Sequence, residues 1–133
     1  IIKKGFKMTP EYIIILSFLL VLIQITIPVL ISLFLKNKKL SYLFSSRDES
    51  SDTSIYEERA NRALKNIFET FPIFIGLVLL SIIKDVDNSS LAFFWLIARA
   101  IYVPVYILGV DYFRTGVWAV SLISLILMGV KFL

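Results

Sequence analysis

The chain has 133 residues, 58% of them hydrophobic, a formal net charge of +4 and a mean hydropathy of +0.84. A soluble domain of this length carries more charge and shorter apolar runs, so the composition points to a bilayer. Cysteine and histidine are both absent, which excludes a disulfide framework, a thiolate nucleophile, a zinc–thiolate centre and the commonest general base.

At the amino end, Met8 followed by Thr9, Pro10 and Glu11 reads as a native start as readily as Ile1 does. A membrane-spanning helix needs ~20 predominantly apolar residues at a rise of ~1.5 Å each. Residues 11–35 supply the first, interrupted only by Ser17, Gln24, Thr26, Pro28 and Ser32. The run is too long, and lacks the small-residue cleavage site, to be a removable signal peptide. Pro28 is expected to kink it modestly.

Residues 36–53 are polar and form the longest connection, with Lys36, Lys38 and Lys39 at the membrane edge. The second predicted helix covers residues 54–83. Ser54-Ile55-Tyr56-Glu57 fits a capping box, in which hydroxyl and carboxylate satisfy the first amides reciprocally. Glu57 to Asn66 is strongly polar and Ile67 to Ile83 nearly all apolar, so this helix starts in water and ends across the bilayer, with Glu69 at membrane depth. A short turn follows, with Asn88 the expected N-cap of a third helix over residues 89–108. That helix contains Arg99, Tyr102, Pro104 and Tyr106. Gly109-Val110-Asp111 then leads into a fourth helix over residues 112–132, which opens with Arg114 and Thr115. The expected fold is all-α: one integral-membrane four-helix bundle spanning residues 1–133.

Four spans put both termini on one side of the membrane. The opposite side carries Lys36, Lys38, Lys39, Arg47, Arg59, Arg62, Lys65 and Arg114, against Lys3, Lys4, Lys7, Lys84 and Lys131 on the terminal side. The positive-inside rule places the 36–56 loop in the cytoplasm, in a cytoplasmic (inner) membrane. Cations beside apolar runs are topology signals, and no soluble basic face for nucleic acid is expected.

Three constellations carry chemistry. On the second helix Arg62, Asn66 and Glu69 stand at i, i+4 and i+7, within ~60° of one another, and Arg59 falls at the edge of the stripe. A cation, an amide and a carboxylate so arranged can hold a ligand bearing both charges and peptide-like groups. The plain alternative for Arg59, Lys65 and Glu57 is a solvated helix end. Glu69 resists that reading, since an ionisable group at depth costs roughly 2.5–3.5 kcal/mol and faces the bundle interior. Arg99, Tyr102 and Tyr106 share a face of the third helix. They read either as ligand contacts or as an aromatic belt with Arg99 paired to Glu69. Asp111 to Thr115 places Arg114 at a helix N-terminus, whose amides and dipole favour an anion. Arg114 is otherwise a snorkelling interfacial cation. No metal site is expected.

The pattern Arg59-Ala-x-Arg62-Ala-x-x-Asn66-x-x-Glu69-Thr-x-Pro72, followed by Ala98-Arg99-x-x-Tyr102-x-x-x-Tyr106 and then Arg114-Thr115, resembles the MAPEG family (membrane-associated proteins in eicosanoid and glutathione metabolism), and its bacterial branch in particular. The resemblance covers nearly the whole chain. It implies a homotrimer of four-helix subunits with glutathione bound between neighbours at the cytoplasmic end. It assigns Arg62, Asn66, Glu69, Tyr102 and Tyr106 to glutathione binding, with Arg99 joining them from its shared face. It assigns Arg114 to the catalytic role of steadying the glutathione thiolate, which a fixed cation favours over the thiol. Two departures stand out. Thr70 occupies a position where some members have tyrosine, and the Tyr106-to-Arg114 spacing differs by about one residue from the mammalian members. The implied activity is a glutathione-dependent transferase or peroxidase acting on a hydrophobic electrophile that enters from the membrane lipids. The competing reading is a non-catalytic small membrane subunit or lipid-binding scaffold, in which the same polar residues form a structural network.

Overall fold

The computed structural model describes residues 9–35 and 55–133. The 36–53 loop, its lysines, Ser54 of the expected capping box and residues 1–7 lie outside these described residues.

Four helices make up the fold: α1 (Pro10–Leu35), α2 (Ile55–Lys84), α3 (Ser89–Leu108) and α4 (Asp111–Val130). All four are long and apolar enough to cross a membrane, and no strand occurs among the described residues. The chain is an all-α, four-helix integral membrane protein. At 30 residues, α2 extends about 45 Å, more than the ~30 Å hydrocarbon core. Its charged N-terminal turns therefore stand beyond the bilayer, as the shift from Glu57–Asn66 to Ile67–Ile83 requires.

The four helices alternate in direction, with α3 packed against each of the others and α1 also laid along α2. Lipid is as apolar as leucine, so association rests on close packing and internal polar contacts rather than on hydrophobic burial. Ala60 and Ala63 on α2, and Ala92 and Ala98 on α3, are buried and let backbones approach. In the middle of the core the Phe74 and Trp95 rings stack with centroids 3.8 Å apart and planes 12° from parallel. Phe71 bridges this pair to Phe18 of α1, edge to face at 5.8 Å. Outward faces carry Ile15, Leu22, Phe34, Ile83 and Phe94, all exposed, as lipid-facing residues must be.

Two ends differ from the sequence expectation. Asn88 makes no side-chain cap on α3. It is buried, and its Nδ2 donates to Ser81 Oγ at 2.8 Å and to the Met128 carbonyl at 3.3 Å, joining α2, α3 and α4. The amide turns inward because two acceptors there outweigh one exposed backbone amide, and the Ser89 amide donates to Asp87 Oδ1 instead. The fourth helix begins at Asp111, where a carboxylate meets the helix dipole favourably, and ends at Val130. It stops short of residue 132 because the last turn tightens: Phe132 N and Leu133 N donate three residues back.

Candidate functional site

The end of the bundle formed by the start of α2, the end of α3 and the start of α4 gathers the chemically active side chains. The α3–α4 connection is abrupt because Gly109 adopts φ 79°, a left-handed conformation that lets its N–H reach the carbonyls of Tyr106 and Val105, each at 3.1 Å. Val110 N donates to Val105 O, and Arg114 N to Val110 O at 2.9 Å. This closed turn sets Arg114 in the first turn of α4, facing back toward Tyr106 of α3.

The site is a column running down α3. The Arg114 guanidinium lies over the Tyr106 ring, 4.7 Å from its centroid. Tyr106 meets Tyr102 edge to face at 5.4 Å. Arg99 lies over the Tyr102 ring at 4.5 Å, and its Nη2 donates to Asn66 Oδ1 of α2 at 2.8 Å. Each step is a cation on an aromatic face, a ring on a ring, or a charged hydrogen bond, so the column is electrostatically continuous. Asn66, Tyr102, Tyr106, Arg114, Thr115 and Trp118 line a pocket of about 200 Å³. Asp111 approaches Arg114 only at 3.9 Å, with three quarters of its side chain exposed, a contact too solvated to neutralise the cation.

Arg99 sits behind the pocket and is 1% exposed. The sequence expectation paired it with Glu69. The structure instead gives it the Asn66 amide, while Glu69 is on the surface of the subunit together with Arg62. The reason is rotational. Of the three stripe residues on α2, Asn66 is the one half-buried and bonded to α3, whereas Arg62 and Glu69 are exposed. The Nε and Nη1 atoms of Arg99 are buried without a hydrogen-bond partner among the described residues.

Of the seven residues singled out from sequence, then, Asn66, Tyr102, Tyr106 and Arg114 share the pocket and Arg99 adjoins it. Arg62 and Glu69 lie outside it on the exposed face of α2. Thr115 and Trp118 line the pocket without having been named as site residues. The signal for Trp118 was its place one helical turn after Arg114, which puts both on one face. Arg59 was read as a solvated helix end and is not one. It is half-buried, with Nη1 donating to the Ile107 carbonyl at 3.1 Å.

Comparison with protein families matches one family model over residues 13–133, taking in all four helices and every residue of the column. The chain belongs to the MAPEG family. No curated protein and no solved structure matches it. As a MAPEG chain it is a membrane protein of the family concerned with glutathione and eicosanoid metabolism, and its column of arginines, tyrosines and asparagine lies at one end of the MAPEG bundle.

Proposed function

We propose that this protein is a glutathione-dependent membrane transferase or peroxidase acting on a hydrophobic electrophile, assembled as a homotrimer. The observation that carries the reading is the pocket in which Asn66, Tyr102, Tyr106 and Arg114 converge at the head of α4. Glutathione is a tripeptide with two carboxylates, an ammonium, two amides and a thiol. The donor set suits it: hydroxyls from Tyr102 and Tyr106, an amide from Asn66, a guanidinium from Arg114, and two buried Arg99 donors that still seek an acceptor.

Bound there, glutathione supplies the sulfur nucleophile that a chain without cysteine lacks. The protein's own part is positional and electrostatic. Arg114 is held by the Tyr106 face and the α4 terminus, and presents fixed positive charge where a thiolate would lie. Asn66, backed by Arg99, and the two tyrosines orient the peptide. Exposed Arg62 and Glu69 would add their charges from the α2 surface. The lone subunit offers about 200 Å³, below the ~300–1,000 Å³ of ordinary ligand pockets, which supports completion of the site by a neighbouring copy. The cation bias of the loop end argues for a cytoplasmic membrane with the 36–56 loop inside.

Calorimetry with detergent-purified protein tests the reading. Glutathione should bind, generate a thiolate absorbance in the ultraviolet, and react with an apolar aryl halide. Binding without thiolate or turnover would favour the non-catalytic scaffold, and no binding at all would remove glutathione from the account.

A further inference from the structure

Arg59 does not line the pocket, yet it contacts the α3–α4 bend that lies between Tyr106 and Arg114, two residues that do. Its Nη1 donates to the Ile107 carbonyl at 3.1 Å, one of the α3 carbonyls that has no partner within its own helix. Its guanidinium also packs on the bend itself. A β-carbon at Gly109 would lie 2.8 Å from Nη1 and 2.9 Å from Cζ of Arg59, so Gly109 is needed both for its positive φ and for the space the arginine fills. A cation here also complements the negative end of the α3 dipole. Only seven positions separate Ile107 from Arg114, and the bend between them is closed by backbone hydrogen bonds from Gly109 and Val110 to the Val105 and Tyr106 carbonyls and from Arg114 to Val110.

We infer that Arg59 is a positioning residue: a clamp from the head of α2 onto the α3–α4 bend that fixes where Arg114 and Tyr106 stand. This clamp and a second hydrogen bond both tie α2 to α3 in this half of the bundle. Asn66 to Arg99 is the deeper one and Arg59 to Ile107 the outer one, and the pocket lies between them. The consequence for catalysis rests on the glutathione reading above, whereas the clamp itself does not.

The experiment uses full-length protein in detergent, with Arg59→Met, Arg59→Lys and Gly109→Ala. The first readout needs no ligand: amide hydrogen exchange across residues 107–114, followed by mass spectrometry. Arg59→Met should speed exchange there by about tenfold or more, the scale of losing one charged hydrogen bond, while the Ile67–Ile83 segment of α2 is unchanged. Arg59→Lys keeps a donor and should fall between. Gly109→Ala evicts the guanidinium, so adding Arg59→Met to it should cost less than the two effects summed. The second readout is glutathione affinity against thiolate signal per glutathione bound. A clamp that aims Arg114 predicts a larger loss in the second than in the first.

Unchanged exchange at 107–114 overturns the clamp. Faster exchange with an undiminished thiolate signal overturns its role in aiming Arg114, as does a uniform loss of stability throughout the chain. If wild-type protein binds no glutathione, the functional reading fails by that result alone, and exchange still decides the clamp.

Discussion

Arg99 is the residue on which the interior of this bundle depends. A cation at bilayer depth costs roughly 2.5–3.5 kcal/mol on insertion scales and is tolerated only with internal partners. Here the partners are the Asn66 carbonyl oxygen at 2.8 Å and the Tyr102 face at 4.5 Å. Asn66→Leu removes the single hydrogen-bond acceptor that Arg99 has among the described residues and is expected to lower stability in detergent by about 1.5–3 kcal/mol. Asn66→Asp puts a carboxylate at the same atom and should be at least as stable as wild type at neutral pH. Thermal unfolding compares the two, and equal losses would show that the guanidinium does not depend on that oxygen. Sequence reading found both residues and their depth, and then matched Arg99 to Glu69 because opposite charge is the strongest cue available without coordinates. Which edge of a helical stripe faces a neighbour depends on how α2 is rotated against α3, and the period of α2 alone does not contain that angle.

At the scale of elements, the four spans were legible because each is a long apolar run, and the bilayer demands ~20 such residues per crossing. The ties between them were not, because they join residues far apart in sequence. Asn88 illustrates the difference. Its position before a helix fits an N-cap, a local signal, yet its partners are seven and forty residues away. The two roles predict opposite outcomes for Asn88→Asp. Aspartate caps helices as well as asparagine does, so a cap would tolerate it. It lacks the Nδ2 donor, so the buried tie to Ser81 and Met128 would be lost, at about 1–3 kcal/mol. We expect the loss, measured as a lower unfolding temperature, with Ser81→Ala producing a smaller drop because the Met128 carbonyl still accepts. Arg59 was misjudged for the same reason: its acceptor lies 48 residues along the chain, and a charged helix head looks solvated until the bend that needs it is seen.

For the whole molecule, orientation and assembly remain to be predicted from charge and exposure. The absence of cysteine makes single-cysteine labelling clean. Tyr112, almost wholly exposed beside the start of α4, and Asp85, exposed at the opposite end, report the two faces. Given the cation bias, Asp85→Cys should react with an impermeant reagent on intact cells and Tyr112→Cys only after permeabilisation. The reverse pattern would invert the topology. The proposed assembly is tested through an asymmetry within the site. Asn66, Tyr102, Tyr106 and Arg114 line the subunit's own pocket, whereas Arg62 and Glu69 are exposed and stand outside it. Arg62 stands on the charged head of α2 beyond the bilayer, where an exposed charge contributes little to the fold, so Arg62→Ala should leave subunit unfolding nearly unchanged. Glu69 is exposed at bilayer depth, where an unpartnered charge is costly, so Glu69→Gln should not destabilise the subunit. If those charges serve a pocket shared between copies, both variants should instead weaken glutathione binding by about tenfold or more, the scale of one charged hydrogen bond. Arg114→Ala should behave differently, reducing turnover far more than affinity, since only interactions stronger in the transition state alter the chemical step. The two classes can be combined. If the proposed trimer shares its site between copies, one assembled from Arg62→Ala and Arg114→Ala subunits contains some interfaces where an intact Arg62 from one chain meets an intact Arg114 from the next. At glutathione concentrations well below the weakened affinity of Arg62→Ala, co-expression should therefore raise turnover above the average of the two variants. Were each site built wholly within one chain, the mixed assemblies would show only the averaged turnover of the parents, and the shared site would be excluded.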